Sequence, residues 1–434
     1  MNFSRNEIDR RFFAQIVMSQ IASCICYGIF FKRLFSDSDT QRGQSVINDG
    51  YLRFAYFQST HLMVVFGFAL LLTFLQRHRL ATLVTCLWTG CLAAQYYFIW
   101  NSVFEGLINQ ESSNLTMYKA IGGEFCSASV LIAVCAIVGK ATNYQLFLMI
   151  MIFVPCYCLN EVVILDLIQA RDIGGSMVIH TFGACFGLAV AYHFNYPHSK
   201  PNNKNLAASQ ASFTTSLIGT IVLWALWPSF NSAQSIFNSD TNLSIINTYF
   251  SLNASVVATL LLTVFFFKGK FDLEQVANAT LAGGVIIGSS ADMIKSGFAA
   301  NLIGVLGGLF STTLFNFAPP ILQKYGLHDV AGIFNLHCIP GILGGIFSTF
   351  CRSIWIDNCY FQQIYGLIFT VILSCCLGFV SGMYLRRFHS GTSYNEFYND
   401  IYFFHLKNEI SEKLLPYVES SRNSQKELFE TVSI

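Results

Sequence analysis

The chain has 434 residues, of which 53% are hydrophobic and only 11% charged, and its mean hydropathy is +0.50. Soluble globular proteins are usually about one quarter charged, so this composition excludes a soluble enzyme and a disordered chain. The formal net charge is +1. Because no basic surface for phosphate groups follows from such a balance, we expect no nucleic-acid partner.

Long apolar segments follow one another along most of the chain. A helix needs about 20 apolar residues to cross a hydrocarbon core of about 30 Å, and these segments lack the alternation of membrane strands. We therefore predict an all-α polytopic membrane protein that lies in a lipid bilayer and has twelve transmembrane helices. Their approximate cores are 12–31, 58–76, 80–100, 119–139, 145–165, 173–194, 213–229, 245–267, 275–291, 297–317, 330–350 and 361–385.

Lysine and arginine are unequally divided between alternate loops. If the N-terminus is cytosolic, seventeen of the 25 Lys and Arg residues fall in cytosolic segments. The positive-inside rule therefore predicts that both termini are cytosolic. Glycosylation sequons at Asn114 and Asn242 then fall in outside loops. The last outside loop holds Cys351 and Cys359, which either form a disulfide or remain free thiols.

The composition changes after the last apolar segment. Residues 1–387 form the predicted transmembrane domain, and residues 388–434 regain Ser, Asn and charged side chains as a cytosolic tail. Such a tail is a possible binding site for a cytosolic adaptor protein. Most of the 14 cysteines lie in apolar runs and lack the spacing of a tetrahedral metal site, so we predict no metal and no cofactor.

One pattern occurs twice, 157 residues apart. Residues Asp172 to His180 and Asp329 to His337 both read D-x-x-G-x-x-x-x-H, and they open the sixth and eleventh predicted helices. Since five helices separate the copies, the second copy is inverted in the membrane. This is the signature of an inverted-repeat transporter fold. Both Asp residues lie at helix starts, where a carboxylate caps backbone N–H groups, and we interpret them first as structural.

The same spacing places the two histidines. Eight residues of helix at about 1.5 Å each put His180 and His337 roughly 12 Å from opposite faces, and so near the middle of the membrane. A histidine inside the membrane is by default a candidate functional residue, although one that only hydrogen-bonds a neighbouring helix is the plainer alternative. A pair of neutral imidazoles suits a small polar molecule that crosses uncharged.

Six stretches together have the character of one known family. They are GGSMVIHTFGACFGL at 174–188, NLHCIPGILGG at 335–345, HLMVVFGF at 61–68, EFC at 124–126, WPSFNS at 227–232 and NATLAGG at 278–284. They resemble the Rh glycoprotein branch of the ammonium transporter superfamily. The resemblance covers about residues 10 to 388 and implies an eleven-helix core of two inverted five-helix repeats with an extra N-terminal helix.

The resemblance also implies functional residues and an assembly. His180 and His337 match the family's twin pore histidines, and Phe125 and Phe230 match the two phenylalanines that close the outer end of the pore. Two acids, Glu124 and Glu161, are expected at or near the outer vestibule. The implied assembly is a homotrimer, or a heterotrimer with a paralogue.

The expected activity is conduction of ammonia, or net transport of ammonium, by a protein that is not an enzyme. We expect it in the plasma membrane, with a vacuolar membrane as the alternative. Three other readings stay open at this point. They are a channel for CO2 or another neutral gas, a membrane electron carrier with histidine-ligated haem, and a non-conducting scaffold.

Overall fold

The structure is a computed structural model that describes residues 5–30, 45–108, 115–194, 208–235, 241–388 and 400. Every regular element within those ranges is helical. In chain order the helices are α1 Arg5–Phe30; α2 Ser45–Leu62 with Met63–Phe68, Ala69–Leu71 and Leu72–Phe74; α3 Arg79–Ile108; α4 Met117–Cys135; α5 Asn143–Val162 with Val163–Leu167; α6 Ser176–Thr181 with Phe182–His193; α7 Gln210–Ser232; α8 Thr241–Phe266; α9 Leu273–Ala279, Ala282–Ile287 and Gly288–Ser290; α10 Gly297–Lys324; α11 Phe334–Cys338 with Ile339–Trp355; and α12 Tyr360–Leu385 with Arg386–Phe388.

The layout confirms the predicted class of twelve-helix membrane protein. In the described part of the chain, eleven helices are long and apolar enough to cross a bilayer. The ninth segment differs from its prediction, because 275–291 is a chain of three short helical pieces and not one helix.

Hydrogen bonds from neighbouring elements explain the second interruption of α9, after Ile287. A carbonyl that accepts a bond from outside its helix is less available to the residue four positions on, so the regular ladder breaks. Three consecutive carbonyls and a fourth three residues later accept such bonds. The donors are Ser251 Oγ to Gly283, Asn231 Nδ2 to Gly284, Ser176 Oγ to Val285 and Gly174 N to Gly288. Apolar composition alone does not reveal such competition.

The two faces of the bundle are fixed by contacts between helix ends. The start of α5 meets the end of α12, where the rings of Tyr144 and Phe388 lie 5.5 Å apart. We call this side the terminal face. At the other side, the opposite face, the Arg352 guanidinium near the end of α11 donates to the Gln169 carbonyl just before α6 at 2.9 Å. Helix α6 therefore begins where α11 ends, which is the inversion that the repeat predicted.

Glycines allow helices to approach closely both within one half and between the halves. In α10, a Cβ atom on Gly304 would overlap the backbone of Ser251 in α8. In α7, a Cβ on Gly219 would overlap the backbone of Leu71 in α2. Small residues at such crossings let backbones pack without a layer of side chains, and this brings the helices around the repeated motif into a tight core.

Several predictions concern segments at the edges of the described chain. Asn114 lies outside the described residues, whereas Asn242 is exposed in the first turn of α8. Cys351 is buried, Cys359 is exposed, and both are free thiols. Of the tail after Phe388 only Asp400 is described, and its carboxylate accepts from Leu80 N and Ala81 N at 3.1 and 2.8 Å, at the start of α3.

Candidate functional site

The repeated motif has the same backbone geometry in both halves. The glycine three residues after each Asp is left-handed, with φ 71° at Gly175 and 68° at Gly332. A side chain at such a position is strained, which accounts for glycine in both copies. A π-helical turn follows each glycine and carries the histidine, Ser176–Thr181 in α6 and Phe334–Cys338 in α11. The wide turn was not predicted from the sequence.

Asp172 caps the start of α6. Its carboxylate accepts from Met177 N at 3.0 Å and from Val178 N at 2.7 Å, and the Ser289 hydroxyl of α9 also donates to it. Burial raises the pKa of this carboxyl to about 6, although these hydrogen bonds favour its charged form. The side chain thus joins α6 to the broken helix α9.

Asp329 makes the corresponding cap at the start of α11. It accepts from Ile333 N at 3.1 Å and from Phe334 N at 2.8 Å, and burial raises the pKa of its carboxyl. The neighbouring His328 carbonyl accepts from Lys140 Nζ at 2.8 Å. Burial lowers the pKa of Lys140 to about 7, and its charge interacts favourably with Asp329. This second cap therefore also ties its helix to the other half of the chain.

The two histidines meet between the halves. His180 is fully buried, His337 is 3% exposed, and their Nδ1 atoms lie 3.1 Å apart with ring planes 12° from parallel. The Nε2 atom of His180 is buried and has no protein partner. A ring nitrogen of this kind is open to a hydrogen bond from a small molecule.

The contact between the histidines restricts their protons. In the Nδ1–Nδ1 hydrogen bond one nitrogen donates and the other accepts. If both rings are neutral, the remaining Nε2 atoms must then be one donor and one acceptor. Two protonated rings would direct N–H groups at each other, so the pair holds at most one positive charge. A molecule that passes the pair meets two polar atoms of complementary character.

Aromatic rings lie on both sides of the histidines. Toward the opposite face, the rings of Phe125 and Phe230 are 4.6 Å apart and both are buried, and Phe230 lies 6.3 Å from His180. Trp227 stacks on His180 at 5.8 Å and Phe68 on His337 at 6.2 Å. Apolar rings therefore cover the histidine pair toward the opposite face and on the ring faces of both histidines.

The two predicted vestibule acids have different surroundings. Glu124 immediately precedes Phe125, and its carboxylate lies 2.9 Å from the Nδ1 atom of the exposed His61. Glu161 is buried on α5, where Asn101 Nδ2 of α3 donates to it at 3.4 Å. Only Glu124 is thus adjacent in sequence to an aromatic ring of the closed pair.

Four residues of the site belong to no pattern that assigned them a role from the sequence. Trp227 and Phe68 cover the rings, Ser289 binds Asp172, and Glu274 lines a cavity that reaches His337 from the terminal face. The chain has 42 phenylalanines, so the pattern of an apolar helix does not single out any one aromatic ring as functional. Ser289 and Glu274 lie on the broken helix α9, and the break itself was not foreseen.

Comparison with known proteins supports the family that the sequence motifs resemble. Residues 18–390 match the model of the Ammonium Transporter Family. The ammonium transporter Rh type C of Xenopus tropicalis is 37% identical over 339 residues, covering 75% of this chain and 72% of the relative. The ammonium transporter Rh type B of Sus scrofa is 34% identical over 366 residues, covering 78% and 79%.

Solved structures agree with the sequence relatives. Rh50 of Nitrosomonas europaea superimposes with a TM-score of 0.73 and 29% identity, over 86% of this chain and 97% of that chain. A sensor Amt protein shares the fold, with a TM-score of 0.66 and 17% identity over 79% and 95%. With twelve helices, an inverted histidine motif and these relatives, the chain belongs to the ammonium transporter family, within its Rh branch.

Proposed function

We propose that this protein is an Rh-type channel that conducts ammonia past the hydrogen-bonded pair of His180 and His337. The observation that carries the proposal is the buried hydrogen-bonded histidine pair, with a ring nitrogen that has no protein partner, behind two closed phenylalanine rings. Such a site offers hydrogen bonds to a small neutral molecule at the point where water is excluded.

The energetics favour ammonia over ammonium at this point. Moving an isolated cation into an apolar path costs far more than moving a neutral polar molecule, which loses only its hydrogen bonds to water. The complementary Nε2 atoms of the pair replace part of those bonds. In the described part of the path between Phe125 and His337 the structure supports a route without fixed charge. The proton therefore leaves the substrate before the histidines.

Glu124 is the residue that we assign to the entrance. A carboxylate beside the closed rings raises the local concentration of ammonium, which then loses its proton before entering. The facing His61 provides an adjacent group that exchanges protons. We assign Glu161 a secondary role in the vestibule, because its carboxyl is buried against Asn101.

Asp172 and Asp329 are assigned as helix caps that position the histidines. Each accepts two backbone N–H bonds within the turn that carries its histidine. The two caps hold α6 and α11 in inverted orientation, so that the imidazoles meet edge to edge.

Geometry argues against haem at this pair. Two axial histidines need a flat macrocycle between their coordinating nitrogens, whereas the nearest nitrogens here are 3.1 Å apart. A CO2 channel and a scaffold with the tail as an adaptor site remain alternative outcomes of the flux experiment below. Hydrogen-bonding nitrogens at the midpoint favour ammonia over CO2, which donates no hydrogen bond.

We further propose a homotrimer, or a heterotrimer with a paralogue. A groove of about 760 Å³ between α8 and α10 combines apolar side chains with Asn253 and Asn301. Amides on an otherwise lipid-facing surface favour a protein neighbour over lipid. Native mass spectrometry in detergent distinguishes a trimer from a monomer.

The bias of Lys and Arg supports cytosolic termini, which makes the terminal face cytosolic. The exposed Asn242 and, outside the described residues, Asn114 are then glycosylation sites on the other side. We place the protein in the plasma membrane, with a vacuolar membrane as the alternative, and propose that the tail after Phe388 binds a cytosolic adaptor.

Stopped-flow measurements on proteoliposomes with a trapped pH dye test the function. An inward ammonium gradient is expected to alkalinise the lumen several times faster than in protein-free vesicles, because neutral ammonia enters and binds a proton there. A CO2 gradient is expected to acidify both vesicle types at the same rate. Faster acidification without faster alkalinisation would favour the CO2 channel. Equal rates in both assays would favour the scaffold.

A further inference from the structure

A narrow cavity with an open mouth enters the bundle from the terminal face. The end of α2 and the starts of α7, α9 and α11 form its walls, with one side from α10. Its lining includes His337, so the cavity ends at the histidine pair.

The lining combines aromatic rings with one carboxylate. Phe68, Phe74, Phe213 and Phe315 contribute rings, and most of the other lining side chains are aliphatic. Glu274 is the one acidic residue among the lining residues, and no Lys or Arg is present there. Faces of aromatic rings attract cations, and they bury apolar groups at the same time.

Glu274 is available to a ligand. It lies in the first turn of Leu273–Ala279 and is exposed at the mouth of the cavity. No ion pair joins its carboxylate to a residue of the described chain. A carboxylate without a cationic partner, beside a pocket of phenylalanines, has the chemistry to hold an ammonium head group with an apolar tail.

The end of the cavity sets an upper size for what passes. The ring of Phe68 stacks on His337 with a centroid distance of 6.2 Å, and the Nδ1 atoms of the two histidines are 3.1 Å apart. Ammonia is small enough for a route of this kind, whereas an ammonium ion that carries an aromatic ring is not. A molecule that fits the cavity and fails to pass occupies the inner end of the route.

We propose that this cavity is a binding site for small organic ammonium ions, held by Glu274 and the surrounding phenylalanine rings, and that occupancy blocks the channel from the terminal face. The binding part depends only on the cavity. The blocking part rests on the proposed function.

Binding is tested by calorimetry on the purified full-length protein in detergent. Benzyltrimethylammonium is the probe, because it carries a permanent charge, and its uncharged isostere neopentylbenzene is the matched ligand. Glu274→Gln is expected to weaken the binding of the cation by about tenfold, the effect of losing one attraction between opposite charges, and to leave the neutral ligand unaffected. Glu124→Gln, at the other end of the route, is the matched control and is expected to change neither.

A variant that fills the cavity gives a second test of the binding proposal. Ala277→Trp, which fills the cavity with a large side chain, is expected to abolish the binding of both ligands. The proposal is overturned if Glu274→Gln and the wild type bind the cation equally, or if Glu124→Gln is the variant that weakens binding.

Blocking is tested by ammonia flux with the probe on both sides of the vesicles. Flux through the wild type is expected to fall toward the protein-free rate, and Glu274→Gln, compared with its own flux in the absence of the probe, is expected to need about tenfold more probe for the same fractional fall. Bound probe without any fall in flux would overturn the blocking. Wild-type vesicles without ammonia flux at any probe concentration would instead contradict the proposed function and leave the binding result intact.

Discussion

Asp172→Asn is expected to cost about 3 kcal/mol of folding free energy, because a buried charged acceptor loses its bonds to two backbone N–H groups and to a hydroxyl. The amide retains one oxygen and adds an N–H₂ group toward Met177 N and Ser289. Helix α6 then loses its cap and one of its hydrogen bonds to α9 together. Thermal denaturation in detergent, followed by tryptophan fluorescence, measures the loss as a lower Tm.

Asp329→Asn is the matched control for this prediction. Asp329 accepts two backbone N–H bonds and makes no described bond to α9, so the expected fall in Tm is about half as large. The Asp172 interpretation is wrong if both variants denature at the wild-type temperature. Equally large falls in Tm in the two variants would contradict the contribution that we assign to the Ser289–Asp172 hydrogen bond.

Phe125→Ala is expected to remove the closure of the route toward the opposite face. The ring lies 4.6 Å from Phe230 and is 3% exposed, so its loss opens space directly before the histidines. We expect methylamine flux to rise about tenfold relative to ammonia flux, which corresponds to ~1.4 kcal/mol of barrier. Stopped-flow with ammonium and methylammonium gradients gives this ratio.

Truncation of a buried ring also destabilises a core, by about 3–5 kcal/mol in globular proteins. Phe153→Ala controls for that effect, because Phe153 is fully buried on α5 and packs on Phe182 and Phe186. It is expected to lower stability by a comparable amount and to leave the flux ratio unchanged. The same flux ratio in both variants would show that Phe125 closes nothing.

Composition and periodicity were sufficient for the membrane layout. Long apolar runs are a direct physical requirement of the bilayer, so the twelve segments and the inversion followed from the sequence. The repeated motif also placed His180 and His337 together, because equal spacing from opposite faces leads to one depth. The structure puts their Nδ1 atoms 3.1 Å apart.

Other features depend on contacts that distant residues make. The break in α9 arises from hydrogen bonds that residues such as Asn231 and Ser251 donate to its carbonyls, and no local pattern encodes those. Phe125 and Phe230 were identified through the family resemblance alone. Trp227 and Glu274 were missed because an aromatic residue or a single acid near a helix end is common in any membrane chain.

The central claim is that ammonia passes along the two histidines and makes hydrogen bonds to their Nε2 atoms. Its most direct test is stopped-flow ammonia flux through proteoliposomes that hold wild type or the double variant His180→Ala with His337→Ala. His193→Ala serves as the control, since His193 lies on α6 and packs on Phe379 at 4.5 Å, away from the pair. We predict about tenfold lower ammonia permeability for the double variant, because the molecule then crosses the midpoint without hydrogen-bond partners. The variant is expected to elute in the wild-type assembly, and unchanged ammonia permeability and selectivity would contradict the claim.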